Sequence, residues 1–223
     1  MTVGQQGRGP SIWARPQRGA RGPSPEHRLV DIAGAAIRLA SAGGLAAVSM
    51  RAVAGELNTT ASTLYRYVAS RDELLDLMVD TAMAGFAYTP GGGRDWLAEL
   101  VRVAEATRAH YVAQPWLLDA VPTGSVPGPN TLLWFEHCLQ AMAALDRTPL
   151  QKMEAVGVLN GVIMLFARSA TTPAAIDFGA LDPARHPLLT ATLTGTAPGA
   201  PTADLFERTI RALLGGLLAD RAG

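Results

Sequence analysis

Residues 59–68 read "TTASTLYRYV". Five small or hydroxyl-bearing residues run into Leu64, and Tyr65-Arg66-Tyr67 follow at once. A buried helix would carry more aliphatic bulk here, and a plain surface helix more Glu and Lys with fewer β-branched residues. A helix whose first turn must lie close against another polymer has this composition. Thr60, Ala61, Ser62 and Thr63 would form that turn. Small side chains permit close approach, hydroxyls can meet phosphates or base edges, and an Ala or Thr methyl can touch the methyl of thymine. Leu64 and Val68 would face inward and seat the helix. Tyr65 and Tyr67 carry hydroxyls long enough to reach a nucleic-acid backbone, and Arg66 and Arg71 add charge at the groove edge.

The flanks fit this reading. "SPEHRLVDIAGAAIRLASAGG" opens a helix, with Ser24 able to cap, Pro25 at the first helical position and Glu26 in the first turn. Leu29, Ile32, Ala33, Ala36 and Leu39 make an apolar stripe at helical spacing, and Gly43-Gly44 stops it. Ser49 caps a short second helix, Met50–Leu57, with Val53, Ala54 and Leu57 inward. Asn58 follows, a residue that tolerates the left-handed conformation of a sharp interhelical turn. After the quoted stretch, Ser70 and Glu73 stand at capping-box spacing before a longer amphipathic helix through Leu74, Leu75, Met78 and Ala82. Residues 27–68 therefore read as helix, short helix, tight turn, short helix. In that arrangement the last helix lies in the DNA major groove. Arg51, early in the preceding helix, could reach a guanine bidentately.

Charge is distributed to match. The chain of 223 residues has no formal net charge. Through Arg71, however, nine arginines face three acids, a net of +6, and the remainder carries ten basic against sixteen acidic groups, a net of −6. A basic front and acidic back suit an anionic partner at one end; a merely solvated basic face is the alternative. Residues 1–25 are rich in Gly, Pro, Gln and Arg and read as a disordered basic tail: a phosphate-gripping arm, a solubilising segment or a mis-assigned start. Cys138 is the one cysteine, which excludes an internal disulfide and a Cys-based zinc finger and suits a buried thiol. No signal-peptide core and no membrane-length apolar window is recognised, so a cytoplasmic protein is expected.

Residues 29–78 closely resemble the DNA-binding domain of the tetracycline-repressor (TetR) family. The residues that carry the likeness are "LVDIAGAAIRLASAGGLAAVSMRAVAGELN" and "STLYRYVASRDELLDLM". They include Ser49 two positions before Arg51, the Leu64-Tyr65-Arg66-Tyr67-Val68 ending, and Arg71 opening the fourth helix. The resemblance implies that Arg51 and residues 60–63 read bases and that Ser49, Tyr65, Tyr67 and Arg71 hold phosphates. Asn58-Thr59 replaces the family's usual Gly-Val or Gly-Ile turn. The expected architecture is all-α: a helix-turn-helix domain at 26–71, then a helical ligand-binding and dimerisation domain at 72–223.

Beyond the glycine-rich break at 88–96, helical segments are expected at about 95–113, 115–121, 129–145, 149–170 and 202–221, with a loop at 188–201. In the family the last two long helices pair with a second copy. Val156, Leu159, Ile163, Phe166, Leu205, Ile210, Leu213, Leu214, Leu217 and Leu218 exceed what one small domain needs to bury. A two-fold dimer would set two recognition helices about 34–36 Å apart on a pseudo-palindromic double-stranded DNA operator. A pocket for an unidentified small molecule would lie between helices. Its candidate lining groups are His110, Trp116, Leu117, Trp134, His137, Met142, Asn160, Met164 and Phe166, each of which is as readily plain core. The His and Glu through which tetracycline repressors hold magnesium-tetracycline have no counterpart in matching context, so neither tetracycline nor a metal or cofactor is expected. No phosphate loop, nucleophile elbow or metal helix points to an enzyme. The expectation is a transcriptional repressor released from its operator by a largely apolar effector; the alternative is a helical protein-interaction adaptor without specific DNA binding.

Overall fold

The computed structural model describes residues 12–14, 29–86, 95–121, 126–172, 177–195 and 204–218. The Ser24-Pro25-Glu26 helix start, most of the basic tail and most of the glycine-rich break lie outside these. Among the described residues the chain is all-helical.

Helix α1, Leu29–Gly43, buries Ile32, Ala33, Ala35, Ala36 and Ala40. It ends where Gly44, at φ 66°, donates its N–H to the Ala40 carbonyl at 2.8 Å. A 3₁₀ turn, Leu45–Ala47, leads to Ser49, whose hydroxyl accepts from the Ala52 N–H and caps α2, Met50–Glu56. The turn after α2 is a Schellman motif. Asn58 takes φ 52°, its N–H reaches the Gly55 carbonyl at 3.1 Å, and the Thr59 N–H reaches back to Ala54 at 2.9 Å. Two carbonyls that the helix end would orphan are thereby satisfied. Helix α3 is short, Ala61–Leu64, and continues as hydrogen-bonded turns through Val68.

Helix α4, Arg71–Ala84, packs along α1. Ser70 accepts from the Glu73 N–H, while the Glu73 carboxylate reaches one residue beyond the cap, to the Ala69 N–H at 2.7 Å. The reciprocal pair is present in a shifted form. Helix α5, Trp96–Ala113, starts on Asp95, whose carboxylate accepts from the Leu97 and Ala98 amides. Helices α6 (Leu117–Ala120), α7 (Pro129–Ala141) and α8 (Pro149–Thr171) follow. Helix α8 begins with a full capping box between Thr148 and Gln151, and its Arg168 holds the Leu118 carbonyl and the Asp119 carboxylate near α6. Helix α5 packs on α7, α8 and α10 (Leu205–Leu218), and α8 packs on α10.

Three expectations need correction. Segment 188–201, read as a loop from its Thr, Ala, Gly and Pro content, contains helix α9, Pro187–Gly195. Pro187 suits the first helical position. Thr190, Thr192 and Thr194 each turn their hydroxyl onto the carbonyl four residues back, so their polarity is satisfied without leaving the helix. Second, Val156, Leu159, Ile163, Ile210, Leu214 and Leu218 lie in the chain's own core and cannot form a dimer face. Of the residues expected, Leu205, Leu213 and Leu217 on α10 are exposed, and on α8 the exposed apolar residues are Leu150, Met153, Val158 and Leu165. Third, α8 has the length and composition of a membrane span, with a mean hydropathy of 1.3 over its most apolar window. One side of it forms core with α5 and α10, and the other is the exposed stripe.

Candidate nucleic-acid interface and regulatory contacts

The predicted contact residues fall on one continuous stretch of surface, from the start of α2 through α3 to the start of α4. Val53, Ala54, Leu64 and Val68 are buried beneath it and hold α2 against α3. Arg51 and Ser62 are exposed, and Ala61 and Thr63 are half-buried. Thr60 is the N-cap of α3: its hydroxyl accepts from the Thr63 N–H at 3.2 Å and lies 3.0 Å from the Thr63 hydroxyl. Both hydroxyls therefore have a structural task, and Ser62 presents the uncommitted one of the three. Tyr65 stands out from the surface at 54% exposure, whereas Tyr67 is half-buried against the core. Arg66 is exposed beside them.

Arg71 has a role the sequence reading lacks. Its guanidinium donates to the Leu45 carbonyl at 3.1 Å and the Val48 carbonyl at 3.4 Å. It thus ties the start of α4 to the connector ahead of Ser49. A guanidinium has five N–H donors, so Arg71 keeps donors for an anion while holding Ser49 and Arg51 in place. The exposed Arg38–Glu56 pair at 3.0 Å joins α1 to α2; pairs this exposed add little stability.

The candidate pocket residues do not share one environment. Trp134 is core, its Nε1–H donating to the buried Thr107 hydroxyl at 2.9 Å, which in turn donates to the Val103 carbonyl. Asn160 accepts from the Tyr111 hydroxyl at 3.3 Å and lies 3.6 Å from the Met164 sulfur, so the structure joins Asn160 and Met164 to a polar group on α5. Burial pushes the Tyr111 hydroxyl up to about 12, which keeps it protonated and a donor. Trp116 is 3% exposed, and its Nε1–H has no acceptor among the described residues. His110 packs edge-on to Phe86, lies 3.3 Å from Gln114 and bonds to the Ala82 backbone at the end of α4. Burial lowers its pKa, partly offset by that bond. His137 is half-buried on α7. Cys138 is a buried thiol, pushed up to about 12 by burial. Among the described residues no three His, Cys, Asp or Glu side chains cluster to hold a metal ion.

Sequence reasoning missed the junction between α4 and α7. Asp76 and Asp80 are buried on α4. Asp76 accepts from the Val126 N–H at 3.1 Å. Asp80 accepts from the Thr131 N–H and the Asn130 side chain, each at 2.9 Å. Helix α7 starts on Gly128, which has no side chain to cap with, so Asp80 supplies the cap from another helix. Its pull is reinforced by the helix dipole. The sequence marks it faintly, by Asp76 and Asp80 one turn apart among Leu74, Leu75, Leu77, Met78 and Val79, without showing what those carboxylates hold.

Comparison with known proteins gives the same fold. The family described as "Bacterial regulatory proteins, tetR family" matches residues 32–78. The HTH-type transcriptional repressor DrrR1 of Streptomyces coeruleorubidus is 35% identical over 160 residues, 71% of this chain and 59% of the relative. The chain thus spans under two thirds of that relative's length. The Streptomyces coelicolor TetR family protein ActR in complex with (S)-DNPA aligns at TM-score 0.73 and 25% identity, over 87% of this chain and 98% of that one. The same protein in complex with actinorhodin aligns at TM-score 0.71 and 24% identity, over 86% and 96%.

Proposed function

We propose that the chain, whose residues 32–78 match the tetR family of bacterial regulatory proteins, is a sequence-specific, DNA-binding transcriptional repressor released by a small, largely apolar effector. The observation that carries the reading is the exposed run from Ser49 to Arg71, seated on a buried Leu64–Val68 base and oriented by the Schellman turn at Asn58. Arg51 and residues 60–63 are assigned to base edges. Ser49, Tyr65, Arg66, Tyr67 and Arg71 are assigned to phosphates, with Tyr67 the most constrained of them. Residues 26–71 serve as the DNA-reading domain and 72–223 as the regulatory domain of a cytoplasmic protein.

The working unit is a homodimer through α8 and α10. Their exposed stripes are apolar, and on α8 they flank Gly157 and Gly161, where a Cβ would meet nothing within 4 Å. Small residues one turn apart let a second helix come close. A dimer places two copies of α3 on a pseudo-palindromic site. For the effector, Tyr111, Asn160 and Met164 between α5 and α8, with the unsatisfied Trp116 indole N–H, offer polar handles within an apolar core. The similar fold of ActR is known in complex with (S)-DNPA and with actinorhodin, which supports a small-molecule effector for this one. Effector binding would act by favouring a dimer whose recognition helices are wrongly spaced.

The test is binding to the DNA upstream of the chain's own gene against a scrambled duplex at two salt concentrations. Selective binding that survives the higher salt is expected. Equal, salt-sensitive binding to both duplexes would reduce the interface to phosphate contacts and favour the adaptor.

A further inference from the structure

The 3₁₀ turn Ile12–Ala14 precedes α1 in the chain, yet it sits at the α4–α7 junction. Ile12 is buried at 7% exposure. The Trp13 indole N–H donates at 3.2 Å to the carbonyl of Val126, 113 residues away. Val126 is therefore gripped from both sides, its N–H by Asp76 of α4 and its C=O by Trp13. Two residues on, Gly128 is hemmed in: a Cβ there would run into both the Asp80 carboxylate and the Trp13 ring. Its φ of −87° is open to any residue, so space, not backbone conformation, demands the glycine. Trp13, Asp76, Asp80 and Gly128 thus form one packed knot. Helix α4 is its pivot, because α1 packs along one side of that helix and α7 along another.

We propose that Trp13 is a positioning residue for DNA binding. By closing residues 126–128 onto Asp76 and Asp80, it fixes the angle of α4, and with it α3, relative to the regulatory helices. The Ile12–Ala14 turn then acts as a strap across the α4–α7 junction. The DNA half of this proposal rests on the reading above; the strap itself does not.

The experiment uses the full chain with Trp13→Ala and Trp13→Phe. The latter keeps a ring against Gly128 but lacks the N–H. Backbone hydrogen exchange is followed at Val126, Thr131 and α4, and affinity for the upstream duplex is measured across salt concentrations. In Trp13→Ala, exchange at Val126 and Thr131 should quicken at least tenfold, with α8 unchanged. Operator affinity should shift at least threefold with the same salt slope, because no phosphate contact is removed. Trp13→Phe should fall between. Unchanged exchange at Val126 and Thr131 would overturn the strap. Faster exchange with unaltered operator affinity would leave a local brace and overturn the positioning role. If neither wild type nor variants select any duplex, the DNA-regulator reading falls and takes the positioning role with it, while exchange alone still decides the strap.

Discussion

Asp80→Ala tests the interhelical cap most directly. Asp80 is 3% exposed and accepts two hydrogen bonds, from the N–H of Thr131, the third residue of α7, and from the Asn130 side chain. Loss of an N-cap acceptor costs about 1 kcal/mol. Leaving a buried donor without a partner costs about 1–3 kcal/mol; Thr131 and Asn130 are half-buried, which favours the lower end. The expected destabilisation is about 2–4 kcal/mol. In a chain of this size each kcal/mol moves Tm by about 2–4 °C, so a fall of about 5–15 °C is expected. Asp80→Asn should lose roughly half as much, since its amide oxygen can still accept from Thr131 while its NH₂ opposes that of Asn130. Asp72→Ala, exposed two turns earlier on the same helix, is the control and should cost under about 1 kcal/mol. Urea and thermal unfolding of the three variants decide the matter. If Asp80→Ala is no worse than Asp72→Ala, the cap does not hold α7 and the reasoning fails.

At position 58, where φ is 52°, Asn58→Gly should be within a few tenths of a kcal/mol of wild type, while Asn58→Val should lose about 1–3 kcal/mol; equal stabilities would deny the left-handed turn. Arg51→Ala should weaken operator binding by about 1–3 kcal/mol and relax preference at one base position, whereas uniform weakening on all sequences would mark a phosphate contact. Because burial holds the His110 pKa below its unfolded value near 6.5, the unfolded chain takes up the proton first. The stability from a neutral His110 is thus full above about pH 6.5 and is lost as pH falls toward the lowered folded value. Urea midpoints from pH 7.5 to 5 should show a decline that His110→Gln lessens. Leu217→Glu, on the exposed stripe of α10, should turn a dimer into monomers by light scattering with little change in helix content; an unchanged mass would move the interface elsewhere.

The DNA-reading half was legible because its determinants are local. Ser49, Asn58 and Ser70 act on backbone groups within a few residues, so spacing alone reveals them; the cap at Thr60 was read only as part of the first turn. The junction was not legible, because Asp80, Gly128 and Trp13 have meaning only together and lie far apart in sequence. Arg71 shows the intermediate case: its charge and place were readable, but its bonds to Leu45 and Val48 required the path of the chain. Which apolar residues of α8 and α10 stay exposed was only partly legible, for a related reason. Leucines on both sides of α8 and α10 give no sequence signal of which side the chain itself covers. Helix α9 was hidden by threonines, whose turn-forming habit in sequence is reversed once each hydroxyl finds its own helix.

Those threonines also set the wetting of α9. Thr190, Thr192 and Thr194 give their hydroxyl hydrogens to the helix backbone, and Leu188, Leu189 and Leu193 of the same helix are exposed. Water gains little by hydrating such a surface, and removing that water strands no hydroxyl. Helix α9 is thus more apolar in behaviour than its three threonines suggest, and covering it would leave no threonine hydroxyl without a partner.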